Sequence, residues 1–86
     1  PLKSIEIFEE GNQPIKNFTK SRLIEVSVKK LTAFHDDPTK EQANSELQKT
    51  ASVLDCDAVV DVVYKSGVGF ITWGYIEARG YCAIFD

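Results

Sequence analysis

Apolar and polar residues alternate along four stretches of this chain with the period of two that is typical of β-strands. The alternating stretches are residues 4–8, 23–31, 58–64 and 70–85. In the second stretch, one face carries Ile24, Val26 and Val28, and the opposite face carries Glu25, Ser27 and Lys29. Each stretch is therefore predicted to form a strand, and the second should have one face on a core and the other in water.

Between the second and third stretches the apolar period changes to about 3.6, which predicts a helix. Its apolar stripe consists of Ala43, Leu47, Ala51 and Leu54. Asp37 or Thr39 can accept the free backbone N–H groups at its start, and Thr39 with Gln42 has the spacing of a capping box. The helix passes almost without a loop into the third strand. Because it has a single apolar face to bury, it should lie on the sheet.

The order strand, strand, helix, strand, strand predicts an α+β fold with two layers, in which one helix packs on a four-stranded mixed sheet. A right-handed crossover is expected if the two strands that flank the helix run parallel. The chain has 86 residues, of which 43% are hydrophobic and 27% charged. This length and composition indicate one globular domain over residues 1–86.

A two-layer fold leaves one face of the sheet without a helix, and the pattern predicts which side chains occupy it. Asp61 is charged, which suggests that the face of the third strand that carries it points to solvent. The face expected to meet the helix then carries Ala58, Val60, Val62 and Tyr64. The last strand should direct small apolar residues to the helix, namely Ile76, Ala78, Gly80, Cys82 and Ile84. The outward set of the last strand is Trp73, Tyr75, Glu77, Arg79, Tyr81 and Phe85.

Exposed aromatic rings mixed with arginine are typical of contact surfaces. We therefore interpret the outward side chains of the last strand as a binding site for a protein partner or a second copy of the chain. The predicted partner-binding residues are Trp73, Tyr75, Glu77, Arg79 and Tyr81. The alternative is a wet face on which Glu77 and Arg79 pair with Lys29 and Glu25 of neighbouring strands.

Charge and hydropathy narrow the classes of partner. Ten basic and thirteen acidic residues give a net charge of −3, and the lysines are scattered, which argues against nucleic-acid binding. No apolar run approaches the roughly 20 residues of a membrane span. The chain begins at Pro1 without Met, which indicates a trimmed or mature domain, and an upstream signal peptide or lipid anchor would not be visible in this sequence. The sequence therefore leaves the compartment open: cytoplasmic, or periplasmic if an upstream leader was removed.

Residues 46–64 and 76–84 resemble the YbjQ-type domain, in which a helix leads through a short turn into a valine-rich strand. That superfamily is described as heavy-metal-binding, and its relatives include envelope-stress lipoproteins such as RcsF. The resemblance implies the same fold and a stress-related or ring-forming binding role. Asp55 and Cys56 replace the usual Gly-Ala at the turn, and Asp55 can still adopt a left-handed conformation there.

Cys56 and Cys82 are the two cysteines of the chain, and each lies next to a position predicted to face the helix. They could form a disulfide between the helix end and the last strand. They could also bind a soft metal or a selenium-type ligand as thiolates. We favour the third interpretation, two buried free cysteines that act as small apolar residues, because a metal site needs more ligands. No cofactor is predicted.

The sequence offers no catalytic constellation. His35, with Asp36 and Asp37, is interpreted as part of a helix-capping loop, since a single histidine has no second partner at a known ligand spacing. No hydroxyl nucleophile has a plausible base. Gly67 and Gly69 join two strands and do not open a helix, so they do not form a phosphate-binding loop. We therefore expect a protein that is not an enzyme.

Overall fold

A computed structural model describes residues 5–30, 38–67 and 74–86 of the chain. The described elements, in chain order, are β1 (Glu6–Glu9), β2 (Phe18–Lys30), α1 (Lys40–Val53), β3 (Ala58–Gly67) and β4 (Gly74–Phe85). The strands form one four-stranded sheet in the order β1-β3-β4-β2. β1 is parallel to β3, whereas β4 is antiparallel to both β3 and β2. The predicted α+β fold with a mixed sheet is confirmed.

β2 and β3 run parallel to each other because both are antiparallel to β4, which lies between them. β2 begins at Phe18, five positions before the predicted start. The alternation is broken near that end because the register between β2 and β4 shifts between Lys20 and Leu23. β3 continues to Gly67, beyond the predicted end. Residues 68–73 lie outside the described part of the chain, and they include the rest of the predicted hairpin loop and Trp73.

The predicted capping box opens α1. The Gln42 backbone N–H donates to the Thr39 hydroxyl at 3.2 Å, and the Thr39 backbone N–H donates to the Gln42 side-chain oxygen at 2.9 Å. These two bonds satisfy backbone donors that a helix start leaves free. Pro38 precedes the Thr39 cap. His35, Asp36 and Asp37 lie outside the described residues, so their interpretation stays a prediction.

The apolar stripe of α1 packs on the sheet as expected, with Ala43, Leu47 and Ala51 fully buried. Leu54 caps the helix and is half-buried. The main core cluster on this side of the sheet also contains Ile5, Ile24, Cys56, Val59, Val62, Ile76, Ala78 and Cys82. Across the edge of the sheet, the Gln48 side-chain amide donates to the Ile5 carbonyl at 2.8 Å and holds the start of β1 against the helix.

The turn from α1 to β3 is tied to β4 by hydrogen bonds. Asp55 has a φ of 62°, which confirms the left-handed conformation expected at the helix end. The Asp57 backbone N–H then donates to the Ala83 carbonyl at 2.9 Å. In return, the Phe85 backbone N–H donates to the Asp57 carboxylate at 2.7 Å. These bonds fix where β3 begins beside β4.

A β-bulge at Asp61 changes which side chains of β3 face the helix, so part of the predicted assignment was wrong. Asp61 has a φ of 54°, and the register with β4 shifts between Val60 and Val63. The extra residue turns the chain by one position, so Val59 and Val62 pack under the helix while Ala58 and Val60 point to the opposite side. The helix-facing assignment was right for Val62 and Tyr64 and wrong for Ala58 and Val60, because strict alternation does not survive a bulge.

Candidate functional site

The side of the sheet opposite α1 is called the outer face here. Among the described residues, no second layer covers it. β2 contributes Leu23, Glu25, Ser27 and Lys29. β3 contributes Ala58, Val60, Val63 and Lys65, and β4 contributes Tyr75, Glu77, Arg79, Tyr81, Ala83 and Phe85. The outer face therefore includes Tyr75, Glu77, Arg79 and Tyr81, four of the five predicted partner-binding residues, while the fifth, Trp73, lies outside the described residues.

One end of the outer face is aromatic. Ala58, Val60 and Ala83 are fully buried there beneath three half-buried rings, those of Phe8, Phe18 and Phe85. This small apolar cluster was missed from the sequence because strict alternation had assigned Ala58 and Val60 to the helix side. The one signal for it was the acidic Asp61 inside a run of valines, a residue type that tolerates positive φ.

Next to the aromatic cluster lie two apolar side chains that remain exposed. Leu23 and Tyr81 are opposite each other on β2 and β4 and are 44% and 39% exposed. The Lys20 ammonium lies 5.3 Å from the centre of the Tyr81 ring. Lys16 has the same relation to Phe85, at 5.4 Å. A cation placed over the face of an aromatic ring is attracted by the quadrupole of the ring, and this attraction helps to orient the ring.

Lys20 also forms an ion pair with Asp61, so the bulge is connected across β4 to β2. The hydrogen bond with Asp61 is the main reason that the pKa of Lys20 is raised above its usual 10.5, with a smaller opposing effect of desolvation. Lys20 therefore stays charged over Tyr81 throughout the neutral pH range. This end of the outer face combines ring, cation and exposed apolar surface.

The middle of the outer face carries charges of both signs. Glu25 lies directly opposite Arg79, and Lys65 directly opposite Glu77. Together with Val63 they line an open depression of about 760 Å³. Within the described ranges, neither Glu77 nor Arg79 makes an ion pair with a neighbouring strand. The cross-strand pairing of the wet-face alternative, Glu77 with Lys29 and Arg79 with Glu25, is therefore not formed.

Cys56 and Cys82 form a disulfide, with Cα atoms 5.5 Å apart and both residues buried. The favoured interpretation of two free thiols was wrong. Cys56 comes directly after the left-handed turn and reaches β4, where Cys82 lies opposite Val59. In this oxidised state neither sulfur is a thiolate, so the soft-metal or selenium-type interpretation would require the bond to be reduced. The described residues contain no cluster of three metal-ligating side chains.

A polar cluster joins α1 to β1 and β3 on the helix side. The Tyr64 hydroxyl donates to the Asn44 side-chain oxygen. The Lys40 ammonium lies 4.8 Å from the centre of the Tyr64 ring and 3.4 Å from the Glu9 carboxylate. These contacts hold the first two turns of the helix against the sheet, and we assign them a structural role.

Tyr64 should make folding stability sensitive to alkaline pH. Burial, followed by the charge of Glu9, raises the pKa of Tyr64 above its usual 10.0. Because the pKa of Tyr64 is raised in the folded state, the contribution of protonated Tyr64 to folding stability is complete below pH 10.0 and is lost as pH rises through the folded-state pKa. We expect the free energy of unfolding to fall less steeply above about pH 10 in Tyr64→Phe than in the wild type. Urea unfolding at about pH 8 to 11 measures the two slopes, and identical slopes would contradict this assignment.

No protein-family model matches this sequence, and no curated protein is significantly similar to it. The fold is nevertheless shared with a solved structure, a protein of unknown function from Pediococcus pentosaceus that belongs to the DUF74 family. The two superpose with a TM-score of 0.73 at 18% sequence identity, over 93% of this chain and 98% of the other. DUF74 is the YbjQ-like family. The similarity at this identity establishes a common fold.

Among residues 5–30, 38–67 and 74–86, the structure contains no helix with the length and hydrophobicity of a membrane span.

Proposed function

We propose that this protein is a non-enzymatic binding domain that recognises another protein chain through the outer face of its sheet. The observation that carries the proposal is the pairing of Leu23 with Tyr81, two substantially exposed apolar side chains that lie opposite each other on the face without a helix. Exposed apolar residues clustered in this way, with a polar surround, are typical of protein contact sites.

The composition of the outer face matches this role. Tyrosine and arginine are enriched among the residues that dominate binding energy at interfaces, and Tyr81 and Arg79 lie two positions apart on β4. Arg79 and Glu77 have no ion-pair partner within the described part of the chain, so they are available to a partner. The partner would therefore present an apolar or aromatic centre with both acidic and basic groups around it.

The shared fold supports a family assignment as part of this proposal. We infer that the chain is a YbjQ-like domain, because its sequence resemblance in residues 46–64 and 76–84 agrees with its structural similarity to the DUF74 protein. That protein has unknown function, so it adds no reaction and no ligand. The partner is a second copy of this chain or a different protein. The mass of the complex distinguishes these two possibilities.

Tyr81 and Ile84 form a matched pair for testing the outer face. Both lie on β4 and both are 39% exposed, but they point to opposite sides of the sheet. Tyr81→Ser is expected to weaken association by about ten-fold or more, whereas Ile84→Ser should leave it unchanged. Both variants should change the free energy of unfolding by less than about 1 kcal/mol, because neither side chain is buried.

Association is measured by sedimentation velocity of the purified variants and by the proteins that co-purify with them from cells. The proposal fails if Ile84→Ser weakens association as much as Tyr81→Ser does. It also fails if Tyr81→Ser changes folding stability alone.

A further inference from the structure

β3 is longer than the strand beside it at the edge of the sheet, so part of its own edge is left without a strand partner. β1 has 4 residues and β3 has 10, and their pairing ends at Glu9 and Val62. Over residues 63–67, β3 pairs with β4 alone among the described strands. An unpaired stretch of strand can bind an extended peptide through its backbone groups.

The hydrogen bonding at the end of β1 shows which backbone groups of β3 point to this edge. The Glu10 backbone N–H donates to the Val62 carbonyl at 3.0 Å, so the backbone groups of Val62 point away from β4. Because backbone direction alternates along a strand, the N–H and C=O groups of Tyr64 and Ser66 point the same way. Within the described ranges, no strand lies on that side of them. They are therefore available to a peptide.

The free edge borders a depression of about 420 Å³ between β3, the start of α1 and the end of β1. Val62, Tyr64 and Ile76 line it on the helix side, and Lys40 lines it from α1. Its volume is within the range of ligand-binding sites in proteins. The depression therefore has room for a few residues of extended chain, with apolar contacts on one side.

The charge at the end of β1 selects the direction of such a chain. Glu9 and Glu10 both line the depression there. The Lys40 ammonium lies 3.4 Å from the Glu9 carboxylate, whereas Glu10 makes no ion pair within the described part of the chain. This end of the depression is therefore negative. It attracts an α-amino group and repels an α-carboxylate.

We propose that this edge binds the free N-terminus of an extended peptide, which adds to β3 as a parallel strand in line with β1. The parallel direction brings the amino group of the peptide to Glu10, whereas the antiparallel direction would bring its carboxylate there. The inference goes beyond the proposed function, because it concerns the edge of the sheet and not its outer face.

The register follows from the free groups of β3. The first peptide residue lies beside Tyr64, with its amino group next to Glu10. The N–H of the second residue donates to the Tyr64 carbonyl, and its C=O accepts from the Ser66 N–H. The N–H of the third residue points away from β3, and that of the fourth donates to the Ser66 carbonyl. Side chains of the first and third residues lie on the helix side, where Tyr64 and Ile76 favour apolar groups.

Backbone methylation of a peptide tests the strand pairing. The probe is the tetrapeptide Val-Thr-Val-Ser with a fluorophore at its C-terminal end, and fluorescence polarisation measures its affinity for the purified protein. Acetylation of its amino group, or N-methylation of its second residue, should weaken binding about ten-fold or more. N-methylation of its third residue should leave binding unchanged. Equal effects of the two methylations, or no saturable binding at up to about 1 mM protein, would overturn the proposal.

Substitution of Glu10 tests the recognition of the amino group. Glu10→Gln should weaken binding of the probe about ten-fold and leave binding of the acetylated probe unchanged. Glu6→Gln is the matched control, because Glu6 is an exposed glutamate at the other end of β1, opposite Ala58. Equal weakening by the two substitutions would contradict the proposal.

Tyr81→Ser separates this edge from the outer face. It should not alter the affinity for the probe, because Tyr81 lies on the outer face and the depression does not include it. Loss of probe binding in this variant would place the peptide on the outer face and overturn the edge proposal. Either proposal can therefore fail without the other.

Discussion

Replacing both cysteines, Cys56→Ala with Cys82→Ala, is expected to lower the free energy of unfolding by about 3.5 kcal/mol. The disulfide closes a loop with a sequence separation of 26 and therefore restricts the unfolded chain. A domain of this size is expected to have a stability of the order of 5 kcal/mol, so most of it would be lost. Chemical denaturation of the two proteins under oxidising conditions measures the difference.

A reducing agent supplies the matched control for the disulfide. It should shift the wild-type unfolding midpoint toward that of the double variant and leave the double variant unchanged. The disulfide also joins the turn after α1 to the middle of the sheet, so its loss should expose the core under the helix. Unchanged midpoints in both proteins would show that the bond does not stabilise the fold.

Gly80→Ala is expected to destabilise the protein by about 2 kcal/mol, even though it adds a single methyl group. A Cβ atom at this position would lie 2.7 Å from a methyl carbon of Val59 and 2.7 Å from one of Val62, and 3.0 Å from the Val60 carbonyl oxygen. These atoms belong to the bulged segment of β3, which is held by β4 and the helix. Relief of the overlap therefore requires the bulge itself to move.

Gly74→Ala is the control for Gly80→Ala, because it makes the same change in the same strand. A Cβ at Gly74 would meet nothing closer than 3.8 Å, an ordinary contact distance. We expect the Gly74 variant to be within about 0.5 kcal/mol of the wild type. Urea unfolding of the wild type, Gly80→Ala and Gly74→Ala measures the free energy of unfolding of each protein. Equal destabilisation by both substitutions would mean that loss of glycine flexibility, and not the bulge, sets the effect.

The sequence predicted those elements whose signals are local. The capping box of Thr39 and Gln42, the apolar stripe of α1 and the left-handed Asp55 each depend on residues within one or two helical turns. All three were confirmed. The side chains of Ala78 and Tyr81 in β4 were also assigned to the correct faces of the sheet. The described part of β4 contains no bulge, so its side chains alternate regularly between the two faces.

The errors arose where distant residues decide the outcome. The bulge at Asp61 changes which side of the sheet Ala58 and Val60 occupy, and the acidic residue inside a run of valines was the one indirect signal of the extra residue. The disulfide depends on how close two strands and a turn come together in space, which the spacing of Cys56 and Cys82 did not fix. The aromatic cluster of the outer face was missed because of the bulge.

The most direct test of an outer-face contact is site-specific photo-cross-linking in cells that produce the protein. A benzophenone amino acid replaces Tyr81 in one variant and Ile84 in the other, positions of equal exposure on opposite sides of β4. We predict that position 81 yields a discrete adduct to a protein chain on illumination, with a mass that identifies a second copy or a different partner. Position 84 should yield none. Adducts at position 84 alone, or equally at both positions, would contradict the account.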